Sequence, residues 1–332
     1  MNTAHRFQSG QTVWVRGLDE ILNTLDADGE LDGLPFMPEM VPYCGQSFRV
    51  SGQPVKTCVE GFGFRNVTGA VFLEDLRCSG RAHDGCQRQC RLFWKEAWLS
   101  EHPPAQSTQS PVNTLAESKI KFKTATGRRY FCQSTELAHA TTEYRENSGL
   151  GNKFRRHFEE AQRRNMSLLQ FASHAAKSVL KRMKYMVGIN PGYTVSGPLQ
   201  KTESISLDLE PGDWIEVKSR TEIEETLDGA GRNRGLLFDP AMLDYCGKRY
   251  QVASRLQKMI LEETGSMIEL KNTVTLDSVT CQAWGCPRAN LHFWREIWLK
   301  RVEPRVSVGI QSRRSGLRPA QSSFLQKRES SS

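Results

Sequence analysis

Between Leu76 and Cys90 the chain reads LRCSGRAHDGCQRQC, which puts Cys78, His83, Cys86 and Cys90 within thirteen residues, with Cys58 twenty residues upstream. Thiolates and imidazoles are the ligands that tetrahedral zinc takes, commonly delivered by two short loops or turns. Cys58, Cys78, Cys86 and Cys90 supply four, His83 can substitute for any one, and Gly80 and Gly85 permit the necessary turns. The spacing C-x7-C-x3-C is not a standard zinc knuckle, nor the tight C-x2-C-x2-C run of ferredoxin clusters. A structural zinc site is the first expectation. Buried unliganded thiols come second, and a redox or iron–sulfur centre third.

Other residues carry weaker chemistry. Cys44 and Cys246 both stand in Tyr-Cys-Gly, which suits a small thiol packed in a core. Cys132 and His139, in YFCQSTELAHATT, would lie about 10 Å apart on a helix, far for a nucleophile and its base. DADGELDG (26–33) looks like a calcium loop but lacks the glycine at the sixth position and the glutamate at the twelfth. No Walker loop, dinucleotide fingerprint, HExxH or G-x-S-x-G appears. Glu96 and Glu296, flanked by Lys95 and Arg295, read as exposed or paired surface positions. The catalytic residues of any enzyme are therefore unassigned, and the chain leans away from catalysis.

The elements that must position these residues come in two copies. TLDADGELDGLPFMPEMVPYCGQSFRV answers TLDGAGRNRGLLFDPAMLDYCGKRYQV at a shift of 202 without a gap. Leu25 meets Leu227, Gly33 meets Gly235, Phe36 meets Phe238, and Tyr43-Cys44-Gly45 meets Tyr245-Cys246-Gly247. FWKEAWL (93–99) answers FWREIWL (293–299) at a shift of 200. Cys78 and Cys86 have counterparts in Cys281 and Cys286, but Asn290 takes the place of Cys90, and Cys58 falls against MIL (259–261). A four-thiolate site is thus confined to the first copy, and the second would need foreign ligands such as His292.

Each copy opens on alternation, TVWVR or DWIEVK, the period of a half-buried strand. Ser219 and Glu222 form a capping box before IEETL, where the first copy has Gly17 at the Ser219 position. Pro-x-Met predicts a short helical turn; SFRV and RYQV predict strands, as do Val71–Leu76 and Val274–Val279. The pairs Trp94/Trp98 and Trp294/Trp298 suit a helix face or a strand face. The expected class is mainly β with α: two duplicated small β-barrel modules, SH3-like, separated by a basic helical segment. The boundaries are a flexible 1–10, copy one at 11–103, a linker at 104–117, the basic helical segment at 118–190, a linker at 191–210, copy two at 211–304, and a disordered basic tail at 305–332.

The net charge of +8 is unevenly spread. Between Ser118 and Met186 fifteen Lys/Arg face five Asp/Glu, which suggests an anionic partner or a solvated helical linker. Arg155, Arg156, Arg163, Arg164, Lys181, Arg182 and Lys184 are the candidate contacts. No apolar run reaches the roughly 18 residues of a spanning helix, and MNTAHRFQSGQ lacks the apolar core of a secretory signal. A cytoplasmic location is expected, where nine cysteines serve as thiols or ligands.

Taken together, GLPFMPEMVPYCG, KTC, LRCSGRAHDGCQRQC, FWKEAWL, CQSTELAHATT, NMSL, NRGLLFDPAMLDYCGKRYQV, CPR and FWREIWL resemble a family of bacterial hypothetical proteins, over most of residues 10–304. The resemblance implies bacterial origin and carries no activity with it. The chain departs from that pattern where the interval from Cys281 to Cys286 is short and lacks a cysteine. Three functions are expected in this order: a non-catalytic accessory or binding protein stapled by zinc, a nucleic-acid-binding or transcription-associated factor, and an enzyme built on Cys132 or an open zinc.

Overall fold

In the computed structural model the described residues are 6–104, 129–144, 176, 183, 195–281 and 288–303. The seven basic candidates between Arg155 and Lys184, the linker after Pro104, Cys286 and the tail lie outside them, as does all of the expected helical segment 118–190 but residues 129–144, Ala176 and Met183.

Alternation fixes the first strand. In TVWV (β1, Thr12–Val15) the valines are fully buried while Thr12 and Trp14 are not, the period of two that puts one face on a core. The first copy continues with β2 (Glu30–Leu31), β3 (Leu34–Pro35), β4 (Ser47–Gly52), β5 (Lys56–Val59), β6 (Gly63–Asn66), β7 (Ala70–Arg77), β8 (Arg91–Lys95) and β9 (Leu99–Ser100). A short β10 (Thr142–Glu143) from the intervening segment pairs with β6. The second copy has β11 (Trp214–Val217), β12 (Arg232–Asn233), β13 (Leu236–Leu237), β14 (Arg249–Arg255), β15 (Lys258–Ile260), β16 (Met267–Glu269), β17 (Thr273–Leu276), β18 (Trp294–Arg295) and β19 (Leu299–Arg301).

The chain is mainly β, and its two five-stranded sheets have the same order: β8-β7-β4-β1-β9 in one copy, β18-β17-β14-β11-β19 in the other. Each sheet also slips register at the same place, between Val50 and Gly52 against β7 and between Val252 and Ser254 against β17. Such irregularities bend a strand and sharpen its twist, which curls each sheet around its own core.

The tryptophan pairs lie on neither of the two expected surfaces. Trp94 is on β8 and Trp98 in the 3-10 turn Glu96–Trp98 that follows, so a strand and a turn, not one regular element, bring both rings into the core. Phe36 meets them edge-on at 6.4 and 5.3 Å, and Phe238 repeats this on Trp294 and Trp298 at 6.2 and 5.2 Å. The inner indoles are satisfied alike, Trp98 donating to Thr24 and Trp298 to Thr226, both at 3.0 Å.

The Ser219–Glu222 capping box forms, whereas Gly17 offers only its backbone N–H to Glu20 at 3.0 Å. DADG and its counterpart are Asx turns: Asp26 accepts from the amides of Asp28 and Glu30, and Asp228 from those of Ala230 and Arg232. One expectation is corrected. Glu296 is fully buried, accepts the amide of Leu207 and lies 3.8 Å from Arg255, because the 3-10 turn Glu296–Trp298 after β18 sets it against the segment that holds Leu207.

The segment CQSTEL docks on the first copy. Its helix Gln133–Glu136 begins at Cys132, and the buried Gln133 amide donates to the carbonyls of Pro35 (3.0 Å) and Phe93 (2.9 Å) while accepting from the Phe93 amide (2.8 Å). Three hydrogen bonds inside a core make this side chain a fastener, since each group left unpaired there would cost about 1–3 kcal/mol. Among the described residues no helix is long and apolar enough to cross a membrane.

Candidate metal centre

The strand β7 ends at Arg77 and β8 resumes at Arg91, so the cysteine stretch is the loop between two paired strands. The Cys78 amide donates to the Cys90 carbonyl at 2.8 Å and closes it. Inside, the Gly80 carbonyl accepts the amides of His83 (3.0 Å) and Gly85 (2.9 Å), and the His83 carbonyl accepts that of Cys86 (3.1 Å). Gly80 has φ +67°, a conformation that glycine adopts without a Cβ penalty. Small residues therefore let thirteen positions coil tightly enough to present several ligands inward.

His83 is 1% exposed, and both ring nitrogens are engaged. Nε2 faces the Phe131 carbonyl at 3.0 Å and must donate to it; Nδ1 lies 2.8 Å from Oε1 of Glu39. Burial pushes the Glu39 carboxyl up, but the imidazole and the neighbouring amides outweigh that, and it sits below its ordinary value. The Ala82 amide also donates to Oε1, at 3.1 Å, whereas Oε2 is buried with no hydrogen-bond partner among the described residues. Cys78 completes the group. Ligand atoms of Glu39, Cys78 and His83 all lie within 4.8 Å of one another, and the cluster could hold a metal ion.

Three further thiols face the same space. Cys78, Cys86, Cys90 and Cys132 line one cavity of about 30 Å³ with His83, Arg88 and Ser134. Burial raises the Cys78 thiol, helped by the Glu39 charge and the Cys90 sulfur, and pushes Cys132 up to about 12. Burial thus favours the neutral thiol at Cys78, Cys86 and Cys132. A bound cation would reverse that, because a coordinating thiol is deprotonated outright.

Beneath the cavity the two copies meet through charge. Glu262, on the loop after β15, pairs with Arg288 at 2.7 Å and Arg88 at 3.6 Å; Glu262 and Arg288 are both 2% exposed. Arg288 also donates to the Cys58 carbonyl (2.8 Å) and the Ser134 hydroxyl (3.2 Å), and Arg88 reaches Glu60 at the rim (3.2 Å). Burial pushes the Glu262 carboxyl up, yet Arg288 and Arg88 hold it below the ordinary carboxylate value. Arg77 spans matched loops, donating to the carbonyls of Gln89 and Ala289.

Comparison with known protein families, characterised proteins and solved structures finds no match. The structure brings Cys78, His83, Cys86 and Cys90 to one place, as the spacing suggests. Cys58 is not among the residues lining the cavity: it sits on β5 opposite Phe64, while Cys132 lines the wall instead. His139 is 72% exposed beside Glu30, so no Cys132–His139 pair forms. Cys44 and Cys246 pack against the two cores, and burial pushes both up to about 11.

The second copy closes its loop in the same way, with the Cys281 amide donating to the Asn290 carbonyl at 2.7 Å. The His292 ring packs on Tyr245 and Trp294, and its Nε2 is buried without a hydrogen-bond partner among the described residues. Sequence reasoning missed Glu39, Glu262, Arg288 and the place of Cys132. A signal for Glu39 was present: the aligned position in the second copy is Ala241, so this carboxylate, like Cys90, belongs to the first copy alone.

Proposed function

We propose that this chain is a non-catalytic bacterial accessory protein, a binding scaffold of two small SH3-like modules whose first copy is braced by zinc. The observation that carries the reading is the buried Glu39–Cys78–His83 cluster with its orphaned carboxylate oxygen. Oxygen, sulfur and nitrogen donors together suit zinc. Glu39 through both oxygens, Cys78 through Sγ and His83 through Nδ1 make four donor atoms. His83 then keeps the orientation typical of a metal ligand, its other N–H donating to a carbonyl.

The role is bracing because, among the described residues, no group near the cluster is poised for turnover. Both Glu39 and His83 are sealed from solvent, and Cys132 is shifted opposite to an activated nucleophile. His83 holds the intervening segment through Phe131, so the ion fastens that segment to the first copy. The eight described cysteines are free thiols, which fits the reducing cytoplasm. The test is zinc content together with unfolding. Full-length protein purified under nitrogen should carry stoichiometric zinc, and chelation should lower its unfolding midpoint by at least about 5 °C. A metal-free protein with an unchanged midpoint would contradict this reading.

A second reading, nucleic-acid binding, is favoured by the hairpin β5–β6. Phe62 and Phe64 are 55% and 40% exposed there, and the Lys56 ammonium sits 4.0 Å from the Phe64 ring and 4.7 Å from that of Tyr144. Interleaved rings and cations are what single strands stack on, and the basic residues 118–186 would add phosphate contacts. Retention of oligo-dT or oligo-U that falls steeply between 50 and 200 mM salt, roughly the behaviour of phosphate-dominated binding, would support it.

A further inference from the structure

We propose that the cysteine cavity holds a second soft metal ion, ligated by Cys86, Cys90 and Cys132, beside the ion assigned to Glu39, Cys78 and His83. The inference rests on that first assignment and extends it from one ion to two.

The three sulfurs come from different stretches of chain, the loop between β7 and β8 and the start of the helix Gln133–Glu136, yet they line one space. Each receives donors that favour a thiolate. The Cys90 sulfur accepts the Ser134 hydroxyl at 3.1 Å, and the Cys86 sulfur accepts the Ile260 amide at 3.4 Å. Cys86 is also reached by the amide of Arg88, two residues on, and Cys132 by those of Ser134 and Thr135. Amides turned back onto the preceding cysteine recur where sulfur carries negative charge, since hydrogen bonds to sulfur tune such centres. Three neutral core thiols have no need of five donors.

Charge supplies an independent argument. Arg288 and Arg88 press two cations against this wall with one fully buried carboxylate, Glu262, between them; the half-exposed Glu60 reaches Arg88 only from the rim. A buried charge without a full counterpart is costly. Three thiolates around a divalent cation carry a net single negative charge and complete the balance.

The three sulfurs do not all lie within 4.8 Å of one another, a condition met among the described residues by Glu39, Cys78 and His83. One side-chain rotation about Cα–Cβ moves a cysteine sulfur by about 3 Å, and the cavity gives the ion somewhere to draw them. Cys78 belongs to the Glu39–His83 group and also lines the cavity of the other three sulfurs, so the two sites adjoin. As each sulfur–metal bond forms, the thiol's proton passes to solvent.

Zinc chloride titrated into the metal-free full chain, followed by native mass spectrometry, counts the ions. Wild type should bind two. The double variant Cys86→Ser/Cys132→Ser should keep one, and Glu39→Gln/His83→Ala should keep the other. A wild-type count of one, unchanged in the Cys86→Ser/Cys132→Ser protein, overturns the second site and leaves the first standing. A count of zero overturns both. Iron with acid-labile sulfide in protein purified under nitrogen overturns the second site in favour of an iron–sulfur cluster. The wild-type count decides the matter even where a variant fails to fold.

Discussion

Alanine at Gly80 is expected to unfold the cysteine loop, at a cost of about 3–5 kcal/mol in denaturant titration. A Cβ there would lie 1.9 Å from the Cys86 carbonyl oxygen and 2.7 and 2.9 Å from that residue's carbonyl carbon and nitrogen. All three atoms are backbone, so no side chain can swing aside. The positive φ of +67° adds strain of about 1–2 kcal/mol for any L side chain. Gly69 is the matched control, with φ +60° and nothing within 4 Å of the added carbon. Gly69→Ala isolates the conformational strain, and the difference between the two variants is the steric clash. Equal losses in both would show that the loop does not close as described.

Removing the Arg288 guanidinium is the second large effect. Arg288→Met leaves Glu262 sealed without its nearest cation and strips donors from the Cys58 carbonyl and the Ser134 hydroxyl. Breaking one side of such a buried pair costs about 3–5 kcal/mol. The pH dependence has a definite sign. Folded Glu262 titrates below its ordinary value, so its contribution is fully present above the unfolded carboxylate pKa of about 4.3 and is lost as pH falls through the folded value. In Arg288→Met burial acts with only Arg88 and the Glu60 amide opposing it, so the carboxyl protonates more readily. The penalty should be greatest near neutral pH and shrink on acidification. Adding Glu262→Leu should recover much of the loss, and a double variant no better than the single one would contradict the pairing.

Much of the scaffold was legible because it rests on short-range rules. Alternation in TVWV and DWIEVK placed β1 and β11, the Ser219–Glu222 spacing placed a helix start, and the ungapped match between copies anticipated two sheets of one strand order. The tryptophan pairs were ambiguous because i, i+4 spacing does not distinguish a helix from a strand followed by a 3-10 turn. The site was legible only in part. Glycine turns and cysteine spacing marked the Cys78–Cys90 loop, since its ligands are local. Glu39, Cys132, Glu262 and Arg288 reach it from 39 to 198 residues away from Cys90 or Cys78 in the chain, and no local pattern reports a contact made by folding. Glu296 misled for a related reason, because its burial comes from a segment some ninety residues earlier.

Glu39, and not Cys58, belongs to the metal centre proposed for the first copy. Element-resolved mass spectrometry on the full chain, purified under nitrogen without added metal, tests this most directly when wild type, Glu39→Gln and Cys58→Ser are measured together. The account predicts stoichiometric zinc in wild type and in Cys58→Ser, with at least one ion lost in Glu39→Gln. Full zinc in Glu39→Gln and its loss in Cys58→Ser would contradict it and return the site to the four cysteines of the first copy.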